Sequence, residues 1–313
     1  MLDFYIQKYA AIQNINPLLS KVKYYGLKRR ICCTIANAKL PDYFNKTPEK
    51  RTFKPNNSSC DNIVSLTTFP ARINKINLVI ECMMRQTTPP DKIILWLSKK
   101  QFSSLEKLPK QLLELKNHGL TIEFAEEDIR SHKKYFYTLK QFPKANIITV
   151  DDDYFYPTTL LEQLLEEHKL YPKDVICHRA HEIKVENQKL QSYSKWRYEF
   201  QEESNTNTVF FTSGGGTLFP SESLHPEVLN KEVFLEKCRL ADDIWLNAMT
   251  RLQVSKIQKI ESKFAVNLPI QYSNSISLAD QNVGNNQNDV QLNAVREHYK
   301  KALNKDIFAD LEL

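Results

Sequence analysis

Glycine is scarce: there are six in 313 residues, and three of them stand together as Gly214, Gly215 and Gly216. No run of 18 apolar residues occurs, which excludes a membrane-spanning helix. The start of the chain lacks a basic stretch, an apolar run and a small-residue cleavage site in succession, so no secretory signal is expected. The cysteines Cys32, Cys33, Cys60, Cys82, Cys177 and Cys238 contain no C-x-x-C pair and match no zinc-ribbon or zinc-finger spacing. They are expected to be free thiols, mostly buried, in a reducing cytoplasmic setting. Neither a P-loop nor a G-x-G-x-x-G fingerprint is present. No internal repeat is visible. What remains is ordinary globular composition, 42% hydrophobic and 26% charged, in a chain long enough for a substantial core.

Charge is uneven. The formal net charge is +6, yet residues 1–60 hold eleven Lys or Arg against three Asp or Glu. The other 253 residues are therefore slightly acidic, which argues against a broad nucleic-acid surface. Lys21, Lys23, Lys28, Arg29 and Arg30 lie among Leu18, Leu19, Val22, Leu27 and Ile31. Residues 18–31 are thus a candidate for peripheral contact with an anionic membrane face or an acidic partner, or a solvated helix face.

Residues 1–39 read as helical, and 41–57, dotted with Pro41, Pro48 and Pro55, as a linker. From Asp61 onward strands and helices alternate. Short β-branched apolar runs at 62–67, 92–97, 120–124, 146–150 and 174–178 read as buried strands. Helical spacing fits 74–86, 109–117, 133–141 and 158–169, and Gly119 is a natural helix stop. The alternation predicts an α/β fold, a doubly wound and mostly parallel sheet flanked by helices, behind an N-terminal helical basic extension. The expected divisions are 1–58, 59–270 and a C-terminal loop and helix over 271–313. In such sheets ligands bind beyond the carboxyl ends of the strands.

The chemistry-bearing residues fall at those ends. Asp151, Asp152 and Asp153 follow the apolar run NIITV directly. Three adjacent carboxylates repel one another, and a hard divalent cation relieves the repulsion. If the strand stays extended, Asp151 and Asp153 share a face and Asp152 points away. Asp242 and Asp243 head an apolar helical stretch, IWLNAM. Asp242 could cap that helix, which leaves Asp243 for other work, such as accepting a proton. Gly214–Gly216 follow an apolar run and allow close backbone approach. The loop Thr67–Arg72 follows the first strand, and Lys134 adds positive charge ahead of the acidic run. His178 and His181 suit a core or acceptor-side role better than metal ligation. Tyr193, Trp196, Tyr198 and Phe200 suit a sugar face or a core equally. The polar stretch 273–291 is either a lid or a loose connection.

Four motifs in this order, T-x-x-P-x-R, ITVDDDYFYP, TSGGGTLFP and ADDIWLNAM, resemble GT-A-fold glycosyltransferases. The likeness is to bacterial capsule and lipopolysaccharide enzymes of the family 2-like kind, with an exostosin-like motif pattern. It implies a nucleotide-sugar donor, UDP-linked, with Mn²⁺ or Mg²⁺ on Asp151 and Asp153. It places Thr67, Arg72, Asp151, Asp152 and Gly214–Gly216 around the donor, where the charge of Lys134 could also reach a diphosphate, and makes Asp243 or Asp242 the catalytic carboxylate, a base in inverting enzymes or a donor-sugar contact in retaining ones. The acceptor would be a glycan or lipid-linked glycan in surface polysaccharide synthesis. His298 is the one histidine after the acidic pair, and its helical context argues against metal ligation. A sugar nucleotidyltransferase would normally carry a Gly-rich basic loop near 63–72, which is absent. A non-catalytic carbohydrate-binding scaffold remains the other alternative.

Overall fold

The computed structural model describes residues 1–13, 23–56, 61–261, 268–272, 286–304 and 306–311. Cys60 and most of the 273–291 stretch lie outside the described residues, as do residues 18–22 of the basic segment. Two helices open the chain, α1 (Leu2–Gln13) and α2 (Lys23–Lys46). The α/β region follows as β1 (Asn62–Thr67), α3 (Ile76–Met83), β2 (Lys92–Ser98), α4 (Lys110–Glu114), β3 (Leu120–Ala125), α5 (Lys133–Gln141) and β4 (Asn146–Val150). Next come β5 (Tyr154–Phe155), α6 (Leu160–Leu170), β6 (Val175–Cys177) and β7 (Ala180–Glu182). The short pair β8 (Val185–Glu186) and β9 (Lys189–Leu190) leads to β10 (Val209–Phe211) and β11 (Gly215–Phe219). The chain closes with α7 (Lys231–Lys237), α8 (Asp242–Leu252), β12 (Ile257–Lys259), β13 (Leu268–Pro269) and α9 (Gln287–Leu303).

The main sheet has seven strands in the order β12-β6-β11-β4-β1-β2-β3. β1 runs parallel to β2 and β4, β2 to β3, and β12 to β6. β11 alone is antiparallel, wedged between β4 and β6. Central strands are buried on both faces, which is why β1, β2 and β4 read as near-continuous apolar runs rather than alternating ones. In register, Val64 of β1 lies between Ile93 and Ile148.

Two expectations need correction. The stretch 41–57 is not a free linker. Pro41 lies inside α2, which continues to Lys46. Leu40 and Phe44, at 0% and 1% exposure, anchor that last stretch in the core, and their burial outweighs proline's cost of about 3 kcal/mol in a helix interior. Beyond it, the Thr52 and Phe53 amides both donate to the Met84 carbonyl, and Arg51 pairs with buried Glu81. The predicted helix at 109–117 splits into α4 and a 3₁₀ turn, ended as expected by Gly119 at φ +99°.

α1 and α2 share the first hydrophobic cluster with the sheet: Ile6, Ala36, Leu40 and Phe44 pack with Val79, Ile148 and Phe155. A second cluster gathers Phe210, Phe234, Trp245, Tyr299 and Phe308 under α7, α8 and α9. The five described cysteines are free thiols, and four are buried. No helix among the described residues is long and apolar enough to cross a membrane.

A candidate active site at the carboxyl edge of the sheet

Parallel strands end on one edge, and an antiparallel strand begins there. The ends of β1, β4 and β6 and the start of β11 therefore meet, joined by the N-termini of α5 and α8. This topology gathers Arg72, Asp151–Asp153, Arg179, Gly214, Lys134, Asp242 and Asp243.

The acidic run is a bend, since β4 stops at Val150. The alternation expected for an extended chain therefore does not apply. Arg72 holds Asp152 and Asp153 together, its Nη1 2.5 Å from one and 2.8 Å from the other. Thr68 donates to Asp152 Oδ2 at 2.6 Å. Arg72 also lies over the rings of Phe69 and Tyr272, and the Tyr272 hydroxyl donates to the Asp152 carbonyl. Asp151 turns to different partners: Lys134 Nζ at 2.8 Å and Arg179 Nη2 at 3.6 Å.

Lys134 is the hub. Its ammonium, almost fully buried, lies 2.8 Å from Asp151 and 2.9 Å from Asp242. Burial alone would lower its pKa, but Asp151, Asp242 and Asp243 more than reverse that and hold it charged. Asp242 and Asp243 diverge although adjacent. Burial works against ionising Asp242, yet Lys134 and His132 hold it down at about 2. Burial and the neighbouring Asp242 push Asp243 up to about 6, against the pull of Lys134. Asp242 is thus held as an anion in a buried pair, while Asp243, partly exposed, is raised above the usual carboxylate range. Asp242 is not the helix cap, because Ala241 occupies that position. Both acids stand in the first turn of α8, where the helix dipole favours negative charge. The Ser213 amide donates to Asp243 Oδ1 (2.7 Å), and its hydroxyl lies between that oxygen (2.6 Å) and Asp242 Oδ2 (2.7 Å), sharing its proton between the two acids.

The three glycines are positioning residues rather than an open cradle. A Cβ on Gly214 would lie 1.7 Å from the Asp151 carboxyl carbon, and one on Gly215 would lie 2.4 Å from Arg179 Cβ. Gly216 adopts φ +90°, and a Cβ there would meet Leu160 at 2.7 Å. β11 therefore presses its backbone onto the acid and the guanidinium. The Tyr156 hydroxyl donates to the Gly214 carbonyl at 2.5 Å and closes this corner.

Of the expected donor-side residues, Gly216 faces Leu160 rather than the acids, and Thr67 stands apart: its hydroxyl donates to the Trp96 carbonyl on β2. Its neighbour Thr68 makes the acid contact. Arg179, Tyr156, Ser213 and Tyr272 were not foreseen. Arg179 lies within CHRAHE, where a single arginine between two histidines gives no local sign of a site role. Both histidines belong to the interior: His178 meets the Leu160 carbonyl, and His181 accepts the Glu199 amide. Tyr193, Trp196 and Phe200 are core residues, while Tyr198 keeps 41% exposure against the His181 ring. His298 lines a surface hollow with Lys237, Glu297 and Lys301, and none of these belongs to the acidic site.

The acids suit a hard cation. Asp151 and Asp153 would offer it carboxylate oxygens, and Asp153 Oδ1 is a buried oxygen without a hydrogen-bond partner among the described residues. Burial and Asp151 raise the Asp153 carboxyl to about 7 despite Arg72, a repulsion that a cation would relieve. No cage of three or more His, Cys, Asp or Glu is preassembled among the described residues.

No protein-family model matches the sequence. Nor does any curated protein. Among solved structures, S. aureus TarS 1–349 in complex with UDP is similar at TM-score 0.44 and 15% identity, over 64% of this chain and 58% of that one. TarS 1–349 without a named ligand scores 0.38 at 11% identity, with the same coverage. A 4-diphosphocytidyl-2C-methyl-D-erythritol synthase is similar at 0.38 and 11%, over 67% of this chain and 93% of that one. The chain thus spans somewhat over half of the TarS fragment's length.

Proposed function

We propose that this protein is a GT-A-like glycosyltransferase that moves a sugar from a nucleotide-sugar, UDP-linked, to a hydroxyl of a glycan or lipid-linked glycan acceptor. The observation that carries the proposal is the pairing of two differently tuned acidic groups across one buried lysine. On one side, Asp151 and Asp153 would hold Mn²⁺ or Mg²⁺. On the other, Asp243, raised to about 6, is held by the Ser213 amide and hydroxyl. The ion would offset the negative charge that develops on the departing diphosphate.

The chain's own residues account for the rest. Lys134 and Arg179 add fixed positive charge beside Asp151, where a leaving phosphate would need it. Arg72, in contact with the rings of Phe69 and Tyr272, keeps Asp152 and Asp153 in place. Asp243 is mostly ionised at pH 7 and can accept the proton of an acceptor hydroxyl, while Ser213 fixes its orientation. Asp242 keeps Lys134 seated and does not titrate in the working range.

The test is calorimetric binding of UDP with and without Mn²⁺, on wild type and on Asp153→Asn. Binding that needs the metal and disappears in the variant supports the proposal. Absence of binding under all conditions, with GDP, CMP and dTDP also inert, overturns it.

A further inference from the structure

α2 is apolar on two opposite sides. One side, Cys33, Ala36, Leu40 and Phe44, is buried in the core. The other carries Leu27, Ile31 and Ile35, exposed at 56%, 49% and 43%. Spaced four apart on one helix, these three form a single ridge. Core packing explains the first side, and nothing in the described chain covers the second.

The surroundings of the ridge are basic. Lys28, Arg30 and Lys39 are exposed on the same helix, and no acidic residue occurs between Lys23 and Pro41. α1 repeats the combination: Phe4 is 54% exposed, with the Lys8 ammonium 5.6 Å from its ring.

We propose that the outer face of α2 docks on an anionic lipid bilayer. Leu27, Ile31 and Ile35 would enter the headgroup–acyl boundary, and Lys28, Arg30 and Lys39 would meet acidic headgroups. Charge complementarity selects this occupant over a second copy of the chain. Two-fold pairing of the ridge would bring a stretch whose charged side chains before Pro41 are all basic against itself. The proposal is independent of the transferase assignment.

The test is co-sedimentation of the full chain with phosphatidylcholine vesicles, with and without phosphatidylglycerol. Binding is expected only to the anionic vesicles, and it should weaken as salt rises. Ile31→Glu should weaken it roughly tenfold or more with an unchanged circular dichroism spectrum, because both apolar insertion and charge are opposed. Leu27→Ser with Ile35→Ser serves as a second variant if the glutamate perturbs the helix. No sedimentation with anionic vesicles at low salt would overturn the proposal, as would binding that neither variant changes. A concentration-dependent dimer that Ile31→Glu dissolves, with no vesicle binding, would also overturn it and assign the ridge to a second copy. UDP binding, measured in parallel, should be the same in all these variants, so the two proposals fail separately.

Discussion

Lys134→Met probes the site at its hub. The lysine is buried, and its ammonium faces Asp151 and Asp242 at 2.8 and 2.9 Å. Methionine keeps the length and removes the charge. Two carboxylates would then be stranded, one of them buried. Breaking a buried ion pair from one side typically costs about 3–5 kcal/mol. A chain of 313 residues unfolds with an entropy of roughly 2.1 cal/mol/K per residue, so the melting temperature should fall by about 5–8 °C at pH 7. The pH dependence gives a sharper check. In the wild type Asp242 is held at about 2, below its unfolded value, so its stabilisation is full above about pH 4 and lost only as pH falls toward 2. Without Lys134, Asp242 and Asp243 are both raised. The deficit relative to wild type should then shrink as pH drops from 7 to 5, because protonation removes the stranded charge. Differential scanning calorimetry across that range measures both effects. A shift under 2 °C at pH 7, or a deficit that grows on acidification, would refute the hub role of Lys134.

The remaining predictions follow from single contacts. Gly214→Ala places a methyl into the Asp151 carboxylate and should abolish metal-dependent UDP binding in calorimetry, at a stability cost of about 1–3 kcal/mol. Thr68→Val removes the donor to Asp152 and should weaken UDP, whereas Thr67→Val, which loses only its bond to Trp96, should lower melting temperature and leave UDP affinity intact. Burial lowers His132 and His178 to about 4 and His181 to about 3, so all three stay neutral in the fold while the unfolded chain protonates them near 6.5. Their contribution is full above pH 6.5 and is lost as pH falls toward 4. The raised carboxyls Asp153 and Asp243 act in the opposite direction over that window, so the check is the difference: the melting temperature of a His178→Asn variant should gain on that of wild type as pH falls from 6.5 to 4.

Much of the site was legible because its residues are rare or locally contradictory. An acidic triplet ending an apolar strand, or three glycines in a chain with six, has few bland explanations. Arg179 and Ser213 were not legible, because a single arginine or serine carries no local signal. Their importance comes from β6 and β11 lying side by side, a long-range pairing that no window of sequence contains. The linker reading failed at Pro41 for a related reason. Proline's local preference was clear, but the burial of Leu40 and Phe44 against the sheet outweighed it.

By itself the sequence determined the strand–helix alternation, the sheet class and the position of the acids at strand ends, because periodicity and turn chemistry are local properties. Only the tertiary structure decided which acid does what. Asp242 and Asp243 are neighbours of one residue type, yet one is held at about 2 and the other rises to about 6. Burial and the distance to Lys134 set that difference, and both arise from packing α5 against the start of α8.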